Sequence, residues 1–353
     1  MRIAVTGATG NLGSALLRRL ADQHTLVGLA RRLPDPGFGG EGTTWVSVDL
    51  TEDACLPTLQ EAFEGADAVV HLAWGFQPSH DQRYLEELGV GGTRRVIEAV
   101  AAAGVPHLVH LSSMGAYAPK RDDEPVDESW PTTGVPSSWY SRSKAAAERL
   151  LDDHEASGAS TLVTRIRPGL VGQRRAASGL LRYGIPGWVP AWALGLLPVL
   201  PLDRRMRIPV VHADDVAAAI EQVLVRRVGG GFNLAAEPPV TTERIAQVLG
   251  ARPLHVPSPV VRVVVDASWR LHLQQVDPGW LDLAFALPLL DSSRASRELD
   301  WVPTKDAVTV LQEVVDGMRD TASDGSPVLR RRTLLDQAAS ALRRGPLSWR
   351  ERP

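Results

Sequence analysis

The sequence predicts an α/β fold, a parallel sheet wound with helices on both faces and followed by a smaller α/β lobe. Two periodicities and one turn predict it. Apolar runs at 3–5, 26–30, 45–48, 68–72, 108–111 and 162–166 have the length of buried strands, and they are continuous rather than alternating, which suits burial on both faces. Helical patterns at 12–21, 84–103 and 141–151 fall between several of these runs, the alternation that builds a parallel sheet. Between the first strand and the first helix lies Thr6-Gly7-Ala8-Thr9-Gly10-Asn11-Leu12-Gly13, a turn of the Rossmann type. Residues 1–170 are therefore read as a doubly wound Rossmann domain.

Beyond residue 171 proline, glycine and tryptophan become frequent and the rhythm breaks until a helical pattern returns at 214–225. Residues 171–320 are read as the smaller lobe, with elements near 205–235 returning to the first domain. Residues 321–353 form a basic extension. From Val328 onward it carries Arg330, Arg331, Arg332, Arg343, Arg344, Arg350 and Arg352 against Asp336 and Glu351. Such a stretch reads as a solvated tail or subunit contact, with an anion-binding arm as the alternative.

With 44% hydrophobic and 22% charged residues, the 353-residue chain has an ordinary globular composition. Its net charge of −3 gives no reason to expect nucleic acid as a partner. Cys55 is the one cysteine, which excludes an intramolecular disulfide and suits a reducing, cytoplasmic setting. No signal peptide is read at the N-terminus. Residues 184–202 lack any charge and approach the length of a membrane span, but Pro186, Pro190, Pro198 and Pro201 forbid a regular helix through them. No membrane span is expected.

Glycine at 7, 10 and 13 would let the backbone amides of the turn, with the helix dipole behind them, approach a pyrophosphate. Arg31 and Arg32 end the second strand where an acid would bind ribose hydroxyls, and guanidinium groups match a 2′-phosphate. This favours NADP over NAD. Asp49-Leu50 and His71-Leu72-Ala73-Trp74 end the third and fourth strands and are expected to line the same cleft, the carboxylate beside the adenine.

Tyr140 and Lys144 lie four residues apart and so share a helix face. An ammonium beside a phenol favours the phenolate and lowers a pKa that is ordinarily near 10. Ser113, in His110-Leu111-Ser112-Ser113, could hold the oxygen of a carbonyl or alcohol. Tyr140 would then give or take the proton while a dinucleotide exchanges hydride.

In these motifs the chain resembles the extended short-chain dehydrogenases/reductases, the NAD(P)-dependent epimerase/dehydratase family. The resemblance covers roughly residues 2–315. It is carried by the glycine turn, Asp49-Leu50, His71-Leu72-Ala73, Gly92-Thr93, Ser112-Ser113, the Tyr140–Lys144 pair and Arg167-Pro168. Later landmarks are His212-Ala213-Asp214-Asp215-Val216, Phe232-Asn233-Leu234 and Asp291-Ser292-Ser293-Arg294 leading to Trp301. The resemblance implies that Ser113, Tyr140 and Lys144 are catalytic. It also implies that Thr9, Asn11, Leu12, Leu50, Leu72, Ala73, Trp74, Ser112, Tyr140, Lys144, Pro168 and Val171 join the glycines and Arg31, Arg32 and Asp49 around the cofactor. Lys144 would bind the nicotinamide ribose, and Pro168 and Val171 would flank the nicotinamide. His212 and Asp215 would order the second lobe, and a homodimer would form through the helices at 84–103 and 140–151. One departure stands out: many relatives carry asparagine where this chain has Gly89, and there it organises the site through water.

Trp188 and Trp192 in the proline-stiffened 184–202 segment suit either a lid for an apolar small-molecule substrate or a packed loop. Arg174, Arg175, Arg182, Arg204, Arg205 and Arg207 could grip a sugar-nucleotide pyrophosphate or merely solvate that segment's rim. Three functions stay open: a dehydrogenase or reductase of a carbonyl/alcohol pair, an NAD-dependent sugar-nucleotide epimerase or dehydratase, and a non-catalytic nucleotide sensor. The first leads because Arg31 and Arg32 favour NADP and Ser113-Met114 supplies no carboxylate for dehydration.

Overall fold

A computed structural model describes residues 1–76, 78–179, 198–274 and 276–331. In chain order its elements are β1 (Arg2–Thr6), α1 (Asn11–Leu20), β2 (Thr25–Ala30), β3 (Thr43–Ser47), α2 (Leu56–Phe63), β4 (Ala68–His71), α3 (Gln82–Glu86), α4 (Gly92–Ala102), β5 (His107–Leu111), α5 (Trp139–Ala156) and β6 (Leu162–Pro168). There follow β7 (Leu170–Gly172), β8 (Val199–Leu202), β9 (Arg207–His212), α6 (Ala213–Arg226), β10 (Gly230–Leu234), β11 (Ala236–Thr241), α7 (Thr242–Leu249), β12 (Arg252–His255), α8 (Ser258–Arg270), α9 (Pro278–Ala286), α10 (Ser293–Leu299) and α11 (Ala307–Arg319).

Seven parallel strands form the main sheet in the order β10-β6-β5-β4-β1-β2-β3. Strand order reverses between β1 and β4, the place where a cleft opens at the carboxyl ends of an open α/β sheet. Alternation along β1 assigns the two faces. Ile3 and Val5 pack with α1, α6 and α10 on one side, while Ala4 packs with α2, α4 and α5 on the other. This is the doubly wound Rossmann-type fold that the apolar runs predict.

Three details differ from the sequence expectations. Strand β3, at the sheet edge, is half-exposed rather than buried. Helix α2, begun by Pro57 in its first turn, adds an element that the sequence pattern does not show, because its buried face rests on only Leu59, Ala62 and Phe63. The 84–103 pattern also resolves into α3, a wide π-type turn at Glu87–Gly91, and α4.

The later residues add a three-stranded sheet, β11-β9-β7, and the pair β12-β8. His212 and Asp215 do not bond to each other. His212 caps α6, with Nδ1 accepting from the Asp214 amide at 3.1 Å, and its Nε2 lies 3.2 Å from Glu313. Asp215 accepts from both the amide and the hydroxyl of Thr304, at 3.0 and 2.7 Å. Each therefore ties α6 to the segment around α11. The residues 184–197, with Trp188 and Trp192, and 332–353, with Arg332, Arg343, Arg344, Arg350 and Arg352, lie outside the described residues, as does Arg182. Among the described residues no helix is long and apolar enough to cross a membrane.

Candidate active site

A cleft of about 430 Å³ opens at the carboxyl ends of the main-sheet strands. Its floor at one end is the glycine turn. Gly7 has a φ of +69°, and a Cβ there would sit 2.7 Å from the Ala73 nitrogen. A Cβ on Gly13 would sit 2.5 Å from the carbonyl oxygens of Gly7 and Ala8, so only glycine lets α1 start this close to the turn. Gly10 caps α1 without any side-chain hydrogen bond, and no acid stands in the first turn, leaving the helix's leading amides turned to the cleft. A bare, positively polarised cradle of this shape fits the pyrophosphate of a dinucleotide.

Around the cradle stand Thr9, Asn11 and Leu12, held from behind. The Asn11 side-chain Nδ2 donates to the Val171 carbonyl at 2.9 Å, and Gln173 Nε2 donates to the Asn11 backbone carbonyl at 2.6 Å. Arg31, Arg32, Asp49 and Leu50 line the far wall. The Arg31 Nη1 donates to the Tyr84 hydroxyl at 2.5 Å, which draws the guanidinium across the cleft mouth. Asp49 accepts from the amide and hydroxyl of Thr51 through Oδ1, at 3.0 and 2.8 Å.

Leu72, Ala73, Trp74, Ser112, Pro168 and Val171 also line the cleft, but His71 does not. It is buried behind the wall, between the Thr6 hydroxyl at 2.6 Å and the Thr93 hydroxyl at 3.1 Å. Thr93 spends its proton on the Gly89 carbonyl at 2.7 Å, so the ring donates from Nε2 and accepts at Nδ1. Burial lowers the His71 pKa to about 3, helped by Lys144, and keeps this ring neutral.

At the other end of the cleft stand Ser113, Tyr140 and Lys144. Ser138 caps α5, and the Ser141 hydroxyl donates to the Gly115 carbonyl at 2.5 Å while accepting from the Val135 amide at 2.6 Å. These bonds fasten the start of α5 to the loop after β5, bringing Tyr140 against Ser113. The Ser113 hydroxyl accepts from the Gly115 amide at 2.9 Å.

The electrostatics differ from the sequence expectation. Burial raises the Tyr140 phenol to about 12, opposed only by its hydrogen bond to Ser113. Burial also holds the Lys144 ammonium well below the usual lysine range, against the pull of Glu148. Lys144 does not lie on the phenol. It donates to the Leu111 carbonyl at 2.9 Å and sits 3.5 Å from the centre of the Trp74 ring. The expected lowering of the phenol by its lysine is therefore not what this arrangement produces.

Several neighbours escaped the sequence reading. Trp280 from α9 stacks on Tyr140 with ring centres 5.0 Å apart, and Phe76 meets Tyr140 edge-on at 5.4 Å. Ile208, Leu283, Leu287 and Val328 line the cleft as well. None belongs to a motif; only the folding of distant elements brings them there. The arginines considered for a pyrophosphate turn elsewhere. Arg174 pairs with Asp320, Arg175 with Asp324 at 3.6 Å and Arg205 with Asp203 at 2.8 Å. Arg207 donates to two carbonyls, and neither it nor Arg204 reaches the cleft.

Comparison with known proteins gives a family and a fold. The model of the NAD dependent epimerase/dehydratase family matches residues 3–235. An uncharacterized protein of Mycobacterium tuberculosis is 28% identical over 323 residues, which are 90% of this chain and 30% of that protein. The chain thus spans less than a third of the length of that curated relative. A 2'-dehydrokanamycin reductase of Streptomyces kanamyceticus is 29% identical over 93% of this chain and 89% of its own. In fold, the chain resembles a UDP-glucose-4-epimerase from Stenotrophomonas maltophila with bound NAD, at a TM-score of 0.70 and 22% identity, covering 91% of this chain and 98% of that one.

Proposed function

This chain belongs to the NAD dependent epimerase/dehydratase family, and from that premise we propose that it is an NADP-preferring dehydrogenase or reductase acting on an apolar carbonyl/alcohol pair. One observation carries the reading: Ser113, Tyr140 and Lys144 share a single cleft with the glycine cradle and with Arg31 and Arg32. The bound nicotinamide supplies or accepts a hydride. The amides at the start of α1 would bind its pyrophosphate, Asp49 and Leu50 would flank the adenine, and Arg31 and Arg32 would meet a 2′-phosphate. Pro168 and Val171 would bound the nicotinamide, and Lys144 would hold its ribose.

Ser113 orients the substrate oxygen, and Tyr140 donates a proton to it in reduction or takes one in oxidation. Among the described residues around Tyr140, Phe76, Ile208, Trp280, Leu283 and Leu287 offer apolar surface and no cation for a diphosphate. That lining favours an apolar substrate over a sugar nucleotide. The reductase named above, similar over most of both chains, supports net reduction. The same reading makes the protein cytoplasmic and a homodimer through the helices at 84–103 and 140–151.

The first test is mass spectrometry of any nucleotide that copurifies, then fluorescence titration with NADPH and NADH. Reversible NADPH binding to an empty protein is the expected result, followed by turnover of aromatic ketones. Tightly retained NAD would move the assignment to an epimerase or dehydratase. Failure to bind either nucleotide would defeat both.

A further inference from the structure

We propose that Trp74 is the positioning residue for the Lys144 ammonium, and that Gly89 is bare to make room for its indole; this rests on the reading of Tyr140 and Lys144 as the proton-handling pair. A Cβ on Gly89 would lie 2.9 Å from Cζ2 of Trp74, 3.0 Å from Cη2 and 3.1 Å from Cε2. These are carbons of a rigid ring, so no side chain fits at 89 while the indole stays. The two positions are therefore one unit. At this turn the chain instead receives an aromatic face from the carboxyl end of β4.

That face has a cation on it. Lys144 Nζ stands 3.5 Å from the ring centre, well inside the range of a cation–π contact. Its remaining hydrogen bond goes to the Leu111 carbonyl at 2.9 Å. The indole is itself set by packing: His110 and Tyr140 meet it edge-on with centres 6.5 and 6.4 Å away, and its buried Nε1 has no hydrogen-bond partner.

His71 from β4 and His110 from β5 are kept neutral by burial. Glu148 and Tyr140 come from α5, Glu148 held as the carboxylate by Arg167. From α4, Arg95 is committed to Glu87 and Asp53 and adds no free charge here. Burial disfavours the charged form of Lys144 and Glu148 favours it; the π face adds to that support, so losing it lowers the lysine midpoint further.

The chain has three lysines, Lys120, Lys144 and Lys305, so full-length protein labelled with ¹³C-lysine gives three resolvable side-chain signals without any substrate. One signal, shifted upfield by the ring current, is expected to lose that shift in both Trp74→Leu and Gly89→Asn. Its titration midpoint is expected to fall by about one unit in Trp74→Leu and by less in Trp74→Phe. With NADPH and aromatic ketones, kcat should drop about tenfold in Trp74→Leu and recover partly in Trp74→Phe. A spectrum without a ring-shifted lysine, or a Lys144 midpoint unmoved in Trp74→Leu, overturns the proposal whatever the enzyme's substrate. Undiminished turnover in Tyr140→Phe would instead overturn the reading on which it rests and leave the lysine spectrum unaffected.

Discussion

Glu148 and Arg167 form a two-point ion pair inside the protein, with Nε to Oε1 at 2.8 Å and Nη2 to Oε2 at 2.6 Å. Both side chains are buried. Glu148 follows Lys144 by one helical turn, and the Ser112 hydroxyl donates to the same carboxylate. Arg167 continues to the Tyr117 hydroxyl at 3.1 Å, which donates to Asn233 on β10 at 2.7 Å. The network thus joins α5, the end of β5, β6 and β10 directly behind the cleft.

Removing one partner leaves the other charge buried without compensation. Glu148→Gln is expected to destabilise the fold by about 3–5 kcal/mol, read as a lowered urea midpoint at pH 7. Burial pushes the Glu148 carboxyl upward, but Arg167 and Ser112 outweigh it and hold the carboxyl below its ordinary range. Its contribution is therefore present above the unfolded carboxyl pKa and is lost as pH falls through the folded value. The difference between wild type and Glu148→Gln should shrink in acid; a pH-independent difference would show that the charge is not what matters.

Tyr140→Phe keeps the ring that stacks on Trp280 and removes only the hydroxyl. Turnover should fall by about 10²–10⁴-fold, while NADPH affinity, set mainly at the glycine cradle, changes little. Retained activity would show that another group moves the proton.

Arg31→Ala removes the guanidinium that reaches from β2 to Tyr84. A charged hydrogen bond of about 1.5–3 kcal/mol corresponds to a loss of roughly ten- to a hundredfold in NADPH affinity. NADH, without the 2′-phosphate, should bind as before. Equal losses for both nucleotides would remove the basis of the NADP preference.

Acid should unfold this protein early. Burial lowers His71 to about 3 and His107 to about 4, and holds His110 well below the usual 6.5. The unfolded chain binds protons at these sites below pH 6.5 and the folded chain does not. Stability is therefore constant above that pH and falls as pH drops toward 4, by up to about 1.4 kcal/mol per unit for each ring. Thermal melts from pH 7.5 to 4.5 measure this, and a His110→Gln variant should flatten the slope. An unchanged melting temperature down to pH 5 would mean that these rings take up protons in place.

Gly13→Val places a Cβ against two carbonyl oxygens of the glycine turn. The helix or the turn must shift, which costs about 1–3 kcal/mol, and NADPH binding should weaken at least as sharply as in Arg31→Ala. Unaltered binding would mean that α1 does not form the cradle.

Local pattern was enough for the cradle and for most of the main sheet. Gly7, Gly10 and Gly13 announce themselves because a strand precedes them and a helix follows, and Tyr140 and Lys144 because four residues make one helical turn. Strand β3 and helix α2 were harder. An edge strand is half-exposed, and a two-turn helix with three buried residues leaves too short a period to read.

What the sequence determined by itself is the chemistry it carries at fixed spacing: a glycine turn ahead of a helix, a phenol and an amine on one helix face, arginines at a strand end. These are short-range relations, and local backbone geometry enforces them. Tertiary structure alone decided what surrounds them. It laid Trp280 on Tyr140 and Val328 along the cleft, buried His71 behind the wall, turned Arg174, Arg175 and Arg205 toward acids elsewhere, and set Lys144 on Trp74 above Gly89. Burial and long-range packing depend on the whole chain's closure, and they set the pKa of each group and the polarity of the cleft, which no spacing of letters encodes.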